Sequence, residues 1–129
     1  MTAVTGAEAL PLSPDGLPPQ AYAAALAGFH HMSVSRLAAL LRHHTPYEAW
    51  QIALSRRPAG GLIGRVLAKA ELRDMWQRSA RERPPELIWQ QCVDLGIDVL
   101  VYGDAGYPGG LLDDLFPPPV LFARGDLGL

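Results

Sequence analysis

Ile88-Trp-Gln-Gln-Cys92-Val-Asp-Leu95-Gly96-Ile97-Asp-Val-Leu-Val-Tyr102 changes its hydrophobic period halfway, and that change decides the fold class. Up to Gly96, Ile88, Cys92 and Leu95 recur at spacings of four and three, on one face of a helix opened by Pro85 and capped by Gly96. From Ile97 to Tyr102 the run is short, mostly apolar and β-branched, which predicts a largely buried strand. Beyond it come a Gly103-Asp-Ala-Gly106 loop, a helical turn opened by Pro108 with Leu111, Leu112 and Leu115, and a stop at Pro117-Pro-Pro119. Val120-Leu-Phe-Ala123 then predicts a second strand. Two strands are too few for an independent sheet in water. The simplest expectation is the N-terminal portion of a longer protein whose sheet continues past Leu129.

Upstream, the punctuation is helical. Pro18 and Pro19 suit a first turn, and Tyr22, Leu26 and Phe29 share a face, predicting a helix over 18–28 that Gly28 ends. Ser33 caps a second helix lined by Val34, Leu37, Ala38 and Leu41, and the short link makes an αα-hairpin. Thr45-Pro46 opens a third helix ending near Arg56, Pro58-Ala-Gly-Gly61 breaks the chain, and a fourth helix runs from Leu62 towards Ala80. The expected division is a flexible leader over 1–16, a helical unit over 17–96 and the start of a second unit over 97–129.

The chain of 129 residues is 49% apolar, the size of one ordinary domain, and its single cysteine excludes a disulfide scaffold. No apolar window is long enough to span a bilayer, and the first residues lack the charged start and apolar core of a signal peptide. A cytoplasmic protein with no membrane partner is expected. The net charge of −2 conceals three blocks: −2 over 1–34, +6 over 35–83 and −6 over 84–129. The basic middle favours a polyanionic partner, and the acidic end is a candidate to lie against it and neutralise it.

Tyr107-Pro108-Gly-Gly-Leu111, followed by Pro118-Pro119-Val-Leu121-Phe-Ala-Arg-Gly125, resembles the YPxxL and PPxxLxxxG elements of the DNA-processing protein A (DprA, or Smf) family. The hairpin from Leu26 to Leu41 and the helix with Glu48-Ala-Trp50 are similar to the small helical domain of that family. The resemblance implies a SAM-like, helix-hairpin-helix domain followed by the first strands of an incomplete Rossmann-like α/β domain. It implies a non-enzymatic role in natural transformation and recombination: binding single-stranded DNA and loading the RecA recombinase. In the family, the main DNA pocket, the RecA contact and dimerisation belong to the Rossmann-like domain, whose glycine- and arginine-bearing motifs would follow Leu129. The competing reading is a SAM-like protein-interaction module without DNA contact.

Two constellations are candidates for DNA contact. The hairpin turn offers Gly28, His30 and His31, since a glycine-bearing turn beside a helix N-terminus presents amides to phosphate and protonated histidines contact it directly. In a continuous fourth helix, Arg65, Lys69 and Arg73 form a stripe that includes Trp76, a pattern of cations with a stacking ring that suits single strands. Asp74 and Arg78 are spaced for an ordinary ion pair. The pairs His30-His31 and His43-His44 with a lone Cys92 lack zinc-ligand spacing, so no metal or other cofactor is expected. His43 and His44 suit the negative end of the second helix. Cys92 lies on an apolar face and the adjacent Asp113 and Asp114 diverge on a helix, so neither supports catalysis.

Overall fold

The computed structural model describes residues 16–104, 107–109 and 117–124. These form α1 (Pro19–Ala27), α2 (Val34–Arg42), α3 (Pro46–Ala53), α4 (Gly61–Leu67), α5 (Ala70–Glu82), α6 (Pro85–Leu95), β1 (Ile97–Val101) and β2 (Val120–Arg124). The predicted leader, the turn with Leu111, Leu112 and Leu115, and the motif positions Leu111 and Gly125 lie outside the described residues.

Local chemistry sets most helix ends. The Ser33 hydroxyl accepts the Arg36 N–H at 3.1 Å and starts α2. At α3 the Thr45 hydroxyl accepts the Glu48 N–H while the Glu48 carboxylate accepts the Thr45 N–H at 2.9 Å, a reciprocal capping box. The Thr45 amide therefore holds the Glu48 carboxyl below its ordinary value. Its contribution to stability is present above the unfolded carboxylate range and is lost as pH falls through the lower folded value. Gly96 ends α6 in the left-handed conformation at φ 66°, which a residue with a side chain adopts only with strain.

Tertiary packing revises the helical faces. α1 buries six consecutive residues, Ala21 to Leu26, rather than a single stripe, because α3, α6 and β1 surround it. Its alanines allow that close approach. α2 buries Leu37 and Leu40 and leaves Val34 63% exposed, so the expected face of Val34, Leu37, Ala38 and Leu41 is rotated. The predicted fourth helix is two helices. In one straight helix, the pair Ile63 and Val66 would point about 130° away from the pair Leu72 and Trp76. All four are buried, and Lys69, extended at φ −87° and ψ 114°, breaks the helix so that both halves face the core.

The core runs through a chain of rings in which Tyr22 meets Tyr47 and Trp50 edge-on, and Phe29 lies between Trp50 and Trp76. Val99 belongs to the same core, so the β-ribbon packs on α1 and α6. β1 and β2 are antiparallel, with Val99 opposite Phe122. Only Val99 of β1 is buried, against the largely buried strand expected, because one face alone meets the helices. The described strands are thus an antiparallel ribbon rather than the parallel pair of a βαβ unit.

Gly64 is constrained by its surroundings: a Cβ there would lie 2.7 Å from the Ala59 carbonyl oxygen, which belongs to backbone and cannot swing away. Gly64→Ala is expected to lower stability by about 1–3 kcal/mol. Gly109→Ala, with nothing within 4 Å of its Cβ, serves as the control. Equal urea midpoints for the two variants would refute the close approach.

Candidate nucleic-acid interface

The α1–α2 turn is fastened to α5. The Trp76 indole N–H donates to the His30 carbonyl at 3.0 Å, and the His30 N–H donates to the Ser79 hydroxyl at 3.2 Å. The amides of Gly28, Phe29 and Met32 donate to carbonyls of Ala25, Leu26 and Phe29. The amides of Gly28 and His30 are therefore engaged inside the protein and do not form the phosphate cradle expected of the hairpin. Gly28 also has an ordinary φ of −93°, and the Arg83 guanidinium lies nearby. Trp76 is fully buried, which corrects its expected role as a base-stacking platform: it positions the turn instead.

That fastening exposes a different set of cations. His31 takes a left-handed φ of 61° and turns its carbonyl to the Arg36 guanidinium, 2.7 Å away. One guanidinium N–H is thereby used, and no other described residue accepts from Arg36. His31 and Arg36 form one wall of an open cleft of about 560 Å³, Lys69 and Glu71 at the start of α5 form the other, and Leu72 and Met75 lie at its floor. The cleft thus joins one residue from each sequence candidate, His31 from the turn and Lys69 from the stripe, with Arg36. Arg36 carried no site signal in the sequence, since its place depends on how the turn docks on α5.

The remaining stripe residues go elsewhere. Arg65 is exposed on α4, outside the cleft, and Arg73 donates to the Leu67 carbonyl at 3.1 Å, satisfying the end of α4. Among the described residues the sole ion pair is Arg57–Glu48 at 3.4 Å, so the Asp74–Arg78 pair is not formed within 4 Å. The described acidic residues of the 84–129 block likewise form no ion pair with the basic block. No group of three metal-ligating side chains occurs among the described residues, and none of their helices is long and apolar enough to cross a membrane. Of the motif positions, the buried Tyr107 donates its hydroxyl to the Pro118 carbonyl at 2.7 Å, and the Pro119 carbonyl accepts the Tyr102 amide. Comparison with protein-family models, curated proteins and solved structures finds no match to the chain.

Trp76→Phe and Ser79→Ala each strand a polar group of His30, and each is expected to cost about 1–3 kcal/mol in urea denaturation, with Trp76→Phe also leaving a void. Full wild-type stability in both would contradict the fastening. Cys92 is buried, and desolvation pushes its thiol above the ordinary cysteine value. The raised folded value means that its stabilising effect is complete below the unfolded cysteine value and is lost as pH rises through the folded one. Native protein at neutral pH is expected to react with a thiol reagent far more slowly than unfolded protein; equal rates would contradict that burial.

Proposed function

We propose that this chain is the N-terminal part of a DprA-like DNA-processing protein, and that its helical domain holds single-stranded DNA in the cleft between the α1–α2 turn and α5. The observation that carries the reading is the meeting of His31, Arg36 and Lys69 over an apolar floor. Cations neutralise phosphates, and Leu72 and Met75 offer a surface for an unpaired base. Support for the family comes from the Tyr107–Pro118 bond, which ties the two motif elements together. On this reading the SAM-like domain passes DNA to a Rossmann-like domain that loads RecA, in the cytoplasm and without catalysis. The antiparallel ribbon would then be an extension at the edge of that domain's sheet.

A protein-interaction role is the second reading. It is favoured by a groove of about 390 Å³ between Trp50, Leu54 and Pro84, with Arg56 and Arg81 beside it. The two readings separate by fluorescence anisotropy with labelled oligo(dT) at low ionic strength. Binding is expected to weaken with salt at a log–log slope of about −2, as two or three phosphate contacts give. Arg36→Glu with Lys69→Glu is expected to reduce affinity at least about tenfold, and Arg65→Glu much less. No salt-sensitive binding, or equal competition by polyglutamate of matched charge, would overturn the DNA reading.

A further inference from the structure

The histidine pair His43-His44 and Arg42 have no part in the first cleft, yet they line a second. Arg42, His43 and His44 at the end of α2 lie across an open cleft of about 270 Å³ from Gly60, Gly61 and Leu62, over Leu40, Ile52 and Ile63. All three basic side chains are exposed, and none forms an ion pair within 4 Å among the described residues. Beyond the Cα atoms of Gly60 and Gly61 a Cβ would meet nothing within 4 Å, so this part of the far wall carries no side chain to hold a polymer backbone away. Among the described residues a carboxylate close to this end is Glu48 on α3, which accepts from the Thr45 amide and from Arg57 and is also within electrostatic reach of His44.

The two clefts are joined by one row of side chains. Arg36, Ala39 and Arg42 follow at i, i+3 and i+6, which is a surface ridge of a helix. Arg36 opens the row at the first cleft, Ala39 in the middle is half-buried against the core and too small to obstruct, and Arg42 ends it at the second. No acidic residue occurs anywhere in α2. Arg36 and Arg42 are separated by about 9 Å along the axis, the reach of a short stretch of nucleic-acid backbone.

We propose that Arg42, His43 and His44 form a second anion subsite, and that single-stranded nucleic acid held in the first cleft crosses α2 along the Arg36–Ala39–Arg42 row to reach it. The inference rests on the DNA reading of the first cleft. It makes the binding surface a track with a defined length rather than a single phosphate pocket. Phosphates sit at the two ends, and the uncharged Ala39 lies beneath the sugar between them.

Oligo(dT) of about three and about eight nucleotides, titrated by anisotropy at low salt, tests the track. For the wild-type chain the longer oligomer is expected to bind at least about tenfold tighter, with a steeper salt dependence. Arg42→Ala with His43→Ala and His44→Ala, all exposed positions, is expected to remove that advantage while leaving the short oligomer at wild-type affinity. Ala39→Glu, which sets a carboxylate in the middle of the row, is expected to do the same. Wild-type affinity and salt slope for the long oligomer in both variants, alongside loss of binding in the Arg36→Glu, Lys69→Glu variant, would overturn the second subsite and leave the first cleft standing. Failure of either oligomer to bind the wild-type chain would overturn both.

Discussion

The bond from the Trp76 indole to the His30 carbonyl, paired with the bond from the His30 amide to Ser79, is the constraint on which the arrangement of the surface depends. It satisfies both backbone groups of one turn residue from successive turns of α5, a helix more than forty residues further along the chain. With His30 fixed, His31 takes its left-handed conformation, its carbonyl holds Arg36, and Arg36 comes to stand opposite Lys69 at the start of that same α5. The ring that fastens the turn also fills the centre of the core, where it packs on Phe29. Core packing and site geometry are therefore one interaction. A change in the ring disturbs both, because the freed carbonyl is left without a partner and the space without contents.

What was legible in the sequence is what local chemistry decides. Ser33, Thr45-Pro46, Pro19, Pro85 and Gly96 mark helix ends because each satisfies or replaces a backbone group within a few residues, and the structure places helix ends at all of them. The break at Lys69 was not legible. Residues 61–82 contain no proline to force it, and it arises because Ile63 and Leu72 must face one core from opposite sides of a continuous helix. The same limit hid the site. Arg36 lies off the apolar face expected of α2 and Trp76 falls within a basic stripe, and periodicity on one helix says nothing of which other element covers it. Gly64 left no local signature either, since the atom that excludes a side chain there belongs to Ala59.

The tyrosine and proline elements near the end of the described chain have a physical reason to occur together. Prolines donate no backbone hydrogen bond, so a run of them offers only acceptors. The Tyr107 hydroxyl takes the Pro118 carbonyl and the Tyr102 amide takes that of Pro119 at 2.9 Å, which closes the two ends of the β1–β2 connection on each other. Tyr102 and Tyr107 then stack edge to face over the closure. The register that sets Val101 opposite Val120 is pinned at this end of the ribbon, and it is this register that delivers Val99 to the helical core.

Charge follows the same logic of placement over total. A net charge of −2 would argue against an anionic partner if the charges were mixed, but among the described acidic side chains only Glu71 lines either cationic cleft, and several others are occupied locally. Asp104 accepts the Val101 amide at 3.1 Å, Asp94 accepts from Gln90 at 2.8 Å, and Glu48 is held by its cap and by Arg57. At physiological salt, fields between exposed charges fade over about 8 Å, so a phosphate at the turn responds chiefly to the Arg36, Lys69 and Glu71 that line the cleft. A helix as short as α2 can thus present a cationic row on a chain that is acidic overall. The separation is held by packing, because the core that fixes α2 against α3 and α4 also fixes which charges are its neighbours.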